Sequence, residues 1–160
     1  MRQKSKSGKG DKPPRRELVR NRRARFDYEI LERREAGLVL KGTEVKSIRA
    51  GNASLAESFV RFDGEEAYWV GGNVDEYPWG NLQNHDPKRK RKLLLRKGEL
   101  RRLRASVREK GLTLIPLCLY LSPRGIIKLE IGLVRGRKKG DKRQDSRKKE
   151  ALKDIRREGG

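Results

Sequence analysis

The sequence predicts a small, mainly β domain with short helices, folded as an antiparallel barrel that is closed or partly open. Three observations carry this prediction. Short β-rich runs, about six of them, follow one another at close spacing with turn residues between. Only two segments inside the central region, Lys41–Gly51 and Lys97–Lys110, have the helical period. The charge is distributed in blocks around a nearly balanced centre. Residues 1–25 hold 11 Lys and Arg against 2 acids, residues 135–160 hold 12 against 5, and residues 26–134 hold 20 against 15. The expected organisation is a basic extension over 1–20, disordered when free, a barrel over 21–134, and a basic tail over 135–160 that is disordered or helical.

In chain order, Leu18 to Arg25 forms a basic lead-in. From Phe26 to Leu40 the pattern alternates loosely, with Phe26, Tyr28 and Ile30 on one face, and reads as a strand. Gly37 suggests a bulge or bend in it. The stretch KGTEVKSIRAG, Lys41–Gly51, reads as a short amphipathic helix that plugs the sheet, with Thr43 as its N-cap and Gly51 closing it. Val45, Ile48 and Ala50 are expected to face inward, with Glu44, Lys46 and Arg49 facing out or flanking the apolar stripe. Ser58–Phe62 and Glu66–Val70 read as a hairpin about Asp63-Gly64. The stretch Asn73–Asp86 reads as irregular, and Lys97–Lys110 as a helix with Leu100, Leu103 and Val107 inward and Gly111 beyond its end. Leu112–Leu121 is a β-rich apolar run, Ser122–Gly125 a turn, and Ile127–Leu133 a half-buried strand. Such a barrel is OB-like, a common platform for nucleic acid.

Composition excludes several functions. One cysteine, Cys118, allows no intrachain disulfide and fits a core position in a protein of the reducing cytoplasm. No apolar run reaches the ~18 residues of a membrane span, so no membrane partner is expected. The single histidine, His85, has no nucleophile beside it, and one His with one Cys cannot assemble a metal site. The segment Gly136–Gly140 lacks the Gly-Lys-Ser/Thr ending of a phosphate loop. No enzyme, cofactor or metal is therefore expected. A net charge of +21 points instead to a polyanion. The basic runs Arg20–Arg25, Lys88–Lys92 and Arg135–Lys142 suit RNA phosphates, and Trp69, Tyr77 and Trp79 are available either for stacking on bases or for the core.

The segments NRRARFDYEI (Asn21–Ile30), EAGLVLKGTEVKSIRAG (Glu35–Gly51), DPKRKRKLLL (Asp86–Leu95), KGLTLIPLCLY (Lys110–Tyr120) and GLVRGRKKGDKR (Gly132–Arg143) together resemble the SsrA-binding protein family, small protein B, in that family's order. The resemblance implies an OB-like barrel that binds the tRNA-like domain of transfer-messenger RNA. It also implies a tail that occupies the small-subunit decoding centre and empty message channel of a stalled ribosome, with a monomeric protein and no covalent chemistry. It assigns Asn21, Arg22, Arg23, Glu35, Gly42, Glu44 and Lys46 to the RNA surface, and Lys90, Arg91, Lys92 and Leu93 to a second RNA-facing segment. Either Glu35 or Glu44 could instead form an internal salt bridge. Gly136, Lys138, Lys139, Asp141, Lys142 and Arg143 match the tail motif. The tryptophan that many family members carry in the tail is absent here, and Arg96 stands where relatives often have His or Asn. A ribosomal or assembly protein with basic tails fits the composition equally well.

Overall fold

The structure, a computed structural model, describes residues 15–137. Its elements are β1 (Arg16–Arg20), α1 (Ala24–Asp27), β2 (Tyr28–Leu38), α2 (Gly42–Arg49), β3 (Ala53–Ser54), β4 (Phe59–Asp63), β5 (Glu66–Val70), β6 (Asn73–Val74), β7 (Arg91–Leu94), α3 (Lys97–Lys110), β8 (Thr113–Leu121) and β9 (Ile127–Gly136). Seven strands form one antiparallel sheet in the order β1-β8-β9-β2-β7-β5-β4, and β3 pairs with β6 in a small second sheet. The large sheet curls until β4 comes within 8 Å of β8, but no ladder joins them, so the barrel is partly open.

Several boundaries differ from the sequence reading. Arg16–Arg20, assigned above to the basic extension, is an edge strand bulged between Glu17 and Val19. Its Leu18 and Val19 pack on the core, which explains how so charged a run joins the sheet. Phe26 lies in the single turn of α1 and not in a strand. β2 runs straight through Gly37, and its irregularity falls between Ile30 and Glu32. Gly37 answers a different need: it pairs with Leu94, and a Cβ there would lie 3.2 Å from the Leu94 Cβ. β9 continues through Gly136, which pairs with Tyr28, two residues beyond the expected end of the barrel.

Other readings hold. α3 spans Lys97–Lys110 and ends on Gly111 at φ +65°, the left-handed cap that glycine adopts without strain. Leu103 is its buried residue, with Leu100 and Val107 packed beside it. The β4–β5 turn contains Gly64 at φ +63°. Cys118 is buried in β8.

The core lies inside the curled sheet and under α2 and α3. It joins Ile48 of α2, Leu55, Val60, Ala67, Trp69, Val74, Leu103 and the inward residues of β8 and β9. Trp69 is fully buried: its indole N–H donates to Ser58 Oγ at 2.9 Å, and that hydroxyl donates to the Leu55 carbonyl at 2.7 Å. It belongs to the core, then, and offers no face for stacking. Gly72 is required because a Cβ there would come within 2.1 Å of the Trp69 ring.

Replacing Gly72→Ala must displace that indole from a closely packed interior. The expected loss is about 3 kcal/mol of folding stability, seen as a lower denaturant midpoint at unchanged slope. An unchanged midpoint would show that the ring moves at no cost.

Candidate RNA interface

The basic run before the triple leucine is sorted by strand geometry. β7 alternates, so Arg91 and Leu93 point in and Lys92 outward, while Lys90 just before the strand is exposed. Leu93 belongs to the hydrophobic core and Arg91 is fully buried, so neither presents its side chain on the surface where the sequence reading put it. Lys90 is exposed, lies 4.3 Å from the centre of the Tyr68 ring and 3.6 Å from Asp63. Lys92 pairs with Glu66 at 2.7 Å.

Arg91 is buried because Glu44 is buried opposite it. The Arg91 Nε donates to Glu44 Oε2 at 2.6 Å, and its other nitrogens donate to the Gly72 and Pro87 carbonyls at 3.2 and 3.0 Å. Its guanidinium also stacks over Trp69, 5.0 Å from the ring centre. Arg89 reaches the same carboxylate from the rim, donating at 2.5 and 3.1 Å. The backbone N–H of Lys41 donates to Glu44 Oε1 at 2.7 Å. This corrects the reading of α2. The helix starts two residues earlier than Thr43 as N-cap implies: Lys41 is the cap, and Glu44 is the third helical residue, placed to reach back to it. Every lone-pair direction of the buried carboxylate that matters is met by a donor, which is the condition for keeping a charge inside.

α2 is fastened at a second point. The His85 ring is buried between Val74 and α2, with Nε2 at 2.9 Å from the Val74 carbonyl and Nδ1 at 2.8 Å from Thr43 Oγ1. A carbonyl only accepts, so Nε2 carries the proton and, in the neutral ring, Nδ1 accepts from the threonine hydroxyl. The only histidine thus does structural duty. Among the described residues no group of side chains could hold a metal ion.

With Glu44 and Arg91 inside, α2 leaves Lys41, Gly42 and Lys46 exposed at the surface. Beside them runs a groove of about 310 Å³ lined by Lys41, Thr43, Lys46, Tyr77 and Trp79. Lys46 Nζ stands 5.1 Å from the centre of the Tyr77 ring. Apart from Gly42's chain neighbours and the backbone of its own helix, no atom of the described residues lies within 4 Å of the position a Gly42 Cβ would take.

The other assigned residues are more scattered. Asn21 anchors a turn: its side-chain amide donates to the Pro116 carbonyl at 2.9 Å and its backbone N–H to the Leu117 carbonyl at 2.9 Å. Arg22 and Arg23 are exposed, and Arg23 pairs with Asp27 at 3.2 Å and covers Phe26. Both arginines line a separate cleft of about 670 Å³ between β1, α1 and residues 53–58. Glu35 is exposed on β2 and accepts a hydrogen bond from Tyr120, whose ring is covered by Arg15 at 4.2 Å. Burial and that bond raise the Tyr120 phenol above its ordinary value. Gly136 ends β9, and Arg137 beyond it donates from Nε to the Arg25 carbonyl at 3.0 Å and from its backbone N–H to the Asp27 carbonyl at 3.1 Å. Lys138, Lys139, Asp141, Lys142 and Arg143 lie outside the described residues. Sequence reasoning did not single out Lys41 or Arg89, although both lie inside the segments it chose.

Burial alone would push the Glu44 carboxyl up, but the bonds from Arg89, the Lys41 N–H and Arg91 prevail and hold it down at about 2, against an ordinary 4.5. A carboxyl depressed on folding stabilises fully above its unfolded pKa and loses that contribution as pH falls through the folded one. Glu44→Gln is therefore expected to cost roughly 3–5 kcal/mol at neutral pH, since Arg91 keeps its charge without a counter-ion. Denaturation across pH should show the gap to the parent protein narrowing from about 4.5 down to about 2. A constant gap through that window would mean that the carboxylate charge is not the source.

The sequence model described as "SmpB protein" matches residues 18–159. An SsrA-binding protein of Flavobacterium psychrophilum is 47% identical over 137 residues, 86% of this chain and 91% of that protein. One from Thermus thermophilus is 53% identical over 135 residues, 84% of this chain and 93% of that protein. A solved structure described as "tmRNA-SmpB: a journey to the center of the bacterial ribosome" contains a chain 55% identical to this one, with a TM-score of 0.64, covering 75% of this chain and 84% of that one. The match runs through the elements that carry the buried Glu44–Arg91 pair and the cationic rim around it, and the chain belongs to the SmpB protein family.

Proposed function

We propose that this protein is the adaptor that binds the tRNA-like domain of transfer-messenger RNA and brings it to stalled ribosomes for trans-translation. The observation that carries the reading is the 55% identity, over three quarters of this chain, to a chain in a tmRNA–SmpB ribosome structure. The geometry supports it. Lys41, Lys46, Lys90 and Lys92 are cations whose positions are set from behind by a buried ion pair. Ordered cations neutralise phosphates at a smaller entropic cost than free ones. Gly42 fits the same reading, because the space a side chain would fill is left to the RNA backbone. Glu44 and Arg91 act through their neighbours: they fix α2 against β7, and the exposed lysines touch the RNA. Arg22, Arg23 and Glu35 form a further part of the RNA surface, with Glu35 able to accept from a base amino group or a 2′-hydroxyl. Gly136, Lys138, Lys139, Asp141, Lys142 and Arg143 serve the decoding centre and the vacant message channel. None of these steps makes or breaks a covalent bond, and the site of action is the cytoplasmic ribosome.

Truncation after Arg137 keeps every contact described here, including the clasp of Arg137 on α1. It is expected to retain binding of transfer-messenger RNA within a few-fold and to abolish peptide tagging on stalled ribosomes. Equal loss of both would refute the division between barrel and tail. Affinity for the RNA should fall with salt by about one unit of log–log slope per phosphate contacted. Isolation of ribosomal RNA without transfer-messenger RNA from cells would favour a ribosomal or assembly protein instead.

A further inference from the structure

We infer that Trp79 is a stacking platform for an unpaired nucleobase of the bound RNA. The inference rests on the RNA-binding reading above. The chain has two tryptophans. Trp69 is fully buried, whereas Trp79 is 77% exposed and makes no hydrogen bond, ion pair or ring contact among the described residues. An indole left in water costs hydrophobic free energy, and here nothing in the fold benefits from it.

The loop that carries it is not slack. Tyr77 to Gly80 is a turn closed by the Gly80 N–H donating to the Tyr77 carbonyl at 2.9 Å, with Pro78 and Trp79 as its central residues. Asn84 locks the base of the loop by accepting from the Tyr77 N–H at 3.0 Å and donating to the Tyr77 carbonyl at 2.7 Å. Gly80 is pressed so closely between Asn84 and Thr43 that a Cβ would come within 2.7 Å of the Asn84 amide and 2.9 Å of the Thr43 methyl. His85, one residue on, binds Thr43 of α2. The backbone that bears the indole is therefore held beside α2, which lowers the entropic cost of stacking on it.

The surroundings choose the occupant. The groove beneath Trp79 is lined by Lys41, Lys46 and Tyr77, with no carboxylate among its lining residues. A base stacked on the indole would bring its phosphate towards those two lysines, the pairing of aromatic face and cationic groove used for single-stranded nucleic acid. An apolar peptide or a second copy of this net-positive chain gains nothing from the lysines.

The arrangement of tryptophans supplies the test. The full-length protein and its Trp79→Phe and Trp79→Ala variants are titrated with a transcript of the tRNA-like domain of transfer-messenger RNA. Tryptophan emission is followed, and binding is measured independently by gel shift. Stacking predicts saturable quenching in the parent protein that tracks binding. The quenching disappears in Trp79→Phe with affinity kept within about threefold, because phenylalanine still stacks, and Trp79→Ala binds about tenfold more weakly. Binding without any change of emission overturns the stacking site and leaves the RNA-binding reading standing. Absence of binding in the parent overturns both. Quenching that follows protein concentration without RNA assigns the indole to self-association and also overturns the proposal.

Discussion

A single buried ion pair holds this surface together. Glu44 of α2 and Arg91 of β7 are far apart in sequence and both fully buried, and their contact at 2.6 Å fixes the helix against the strand. Taking two charges out of water costs several kcal/mol each, and only a complete set of donors repays it. Arg89 and the Lys41 N–H complete the carboxylate, while the Gly72 and Pro87 carbonyls complete the guanidinium. Because each partner has little alternative, the pair specifies one register of α2 on the sheet. A helix of eight residues has no such definition by itself.

The lysines follow from that register. On β7 side chains alternate, so fixing Arg91 and Leu93 inward turns Lys92 outward, with Lys90 exposed just before the strand. On α2 the same holds for Lys41 and Lys46 around Glu44. The surface lysines are thus arranged by charges that lie in the interior. His85 adds a second tie through Thr43 and extends the ordered region to the loop bearing Trp79.

Much of the fold was legible because the core residues obey simple periods. Ile127, Leu129, Ile131 and Leu133 alternate, and α3 repeats Leu100, Leu103 and Val107 with a glycine beyond its end. The run Lys88–Lys92 was harder, because an arginine facing inward looks like its neighbours by composition. The alternation that buries Arg91 was present, but only its partner reveals it, and Glu44 is 47 positions away. Trp69 was ambiguous for a similar reason: alternation with buried Ala67 puts it inside, and its hydroxyl partner Ser58 comes from the preceding strand region. The edge strand Arg16–Arg20 was hidden by its charge, since only Leu18 and Val19 have anything to bury.

That edge strand has one more implication. Five residues long, broken by a bulge and studded with Arg16, Glu17 and Arg20, it offers an incoming strand a short and irregular template. At the opposite margin β4 carries Arg61 and Asp63. Crowding on a polyanion concentrates a cationic protein and would promote sheet-to-sheet polymerisation wherever flat, apolar borders met. Here the charged and bulged borders of the large sheet discourage it.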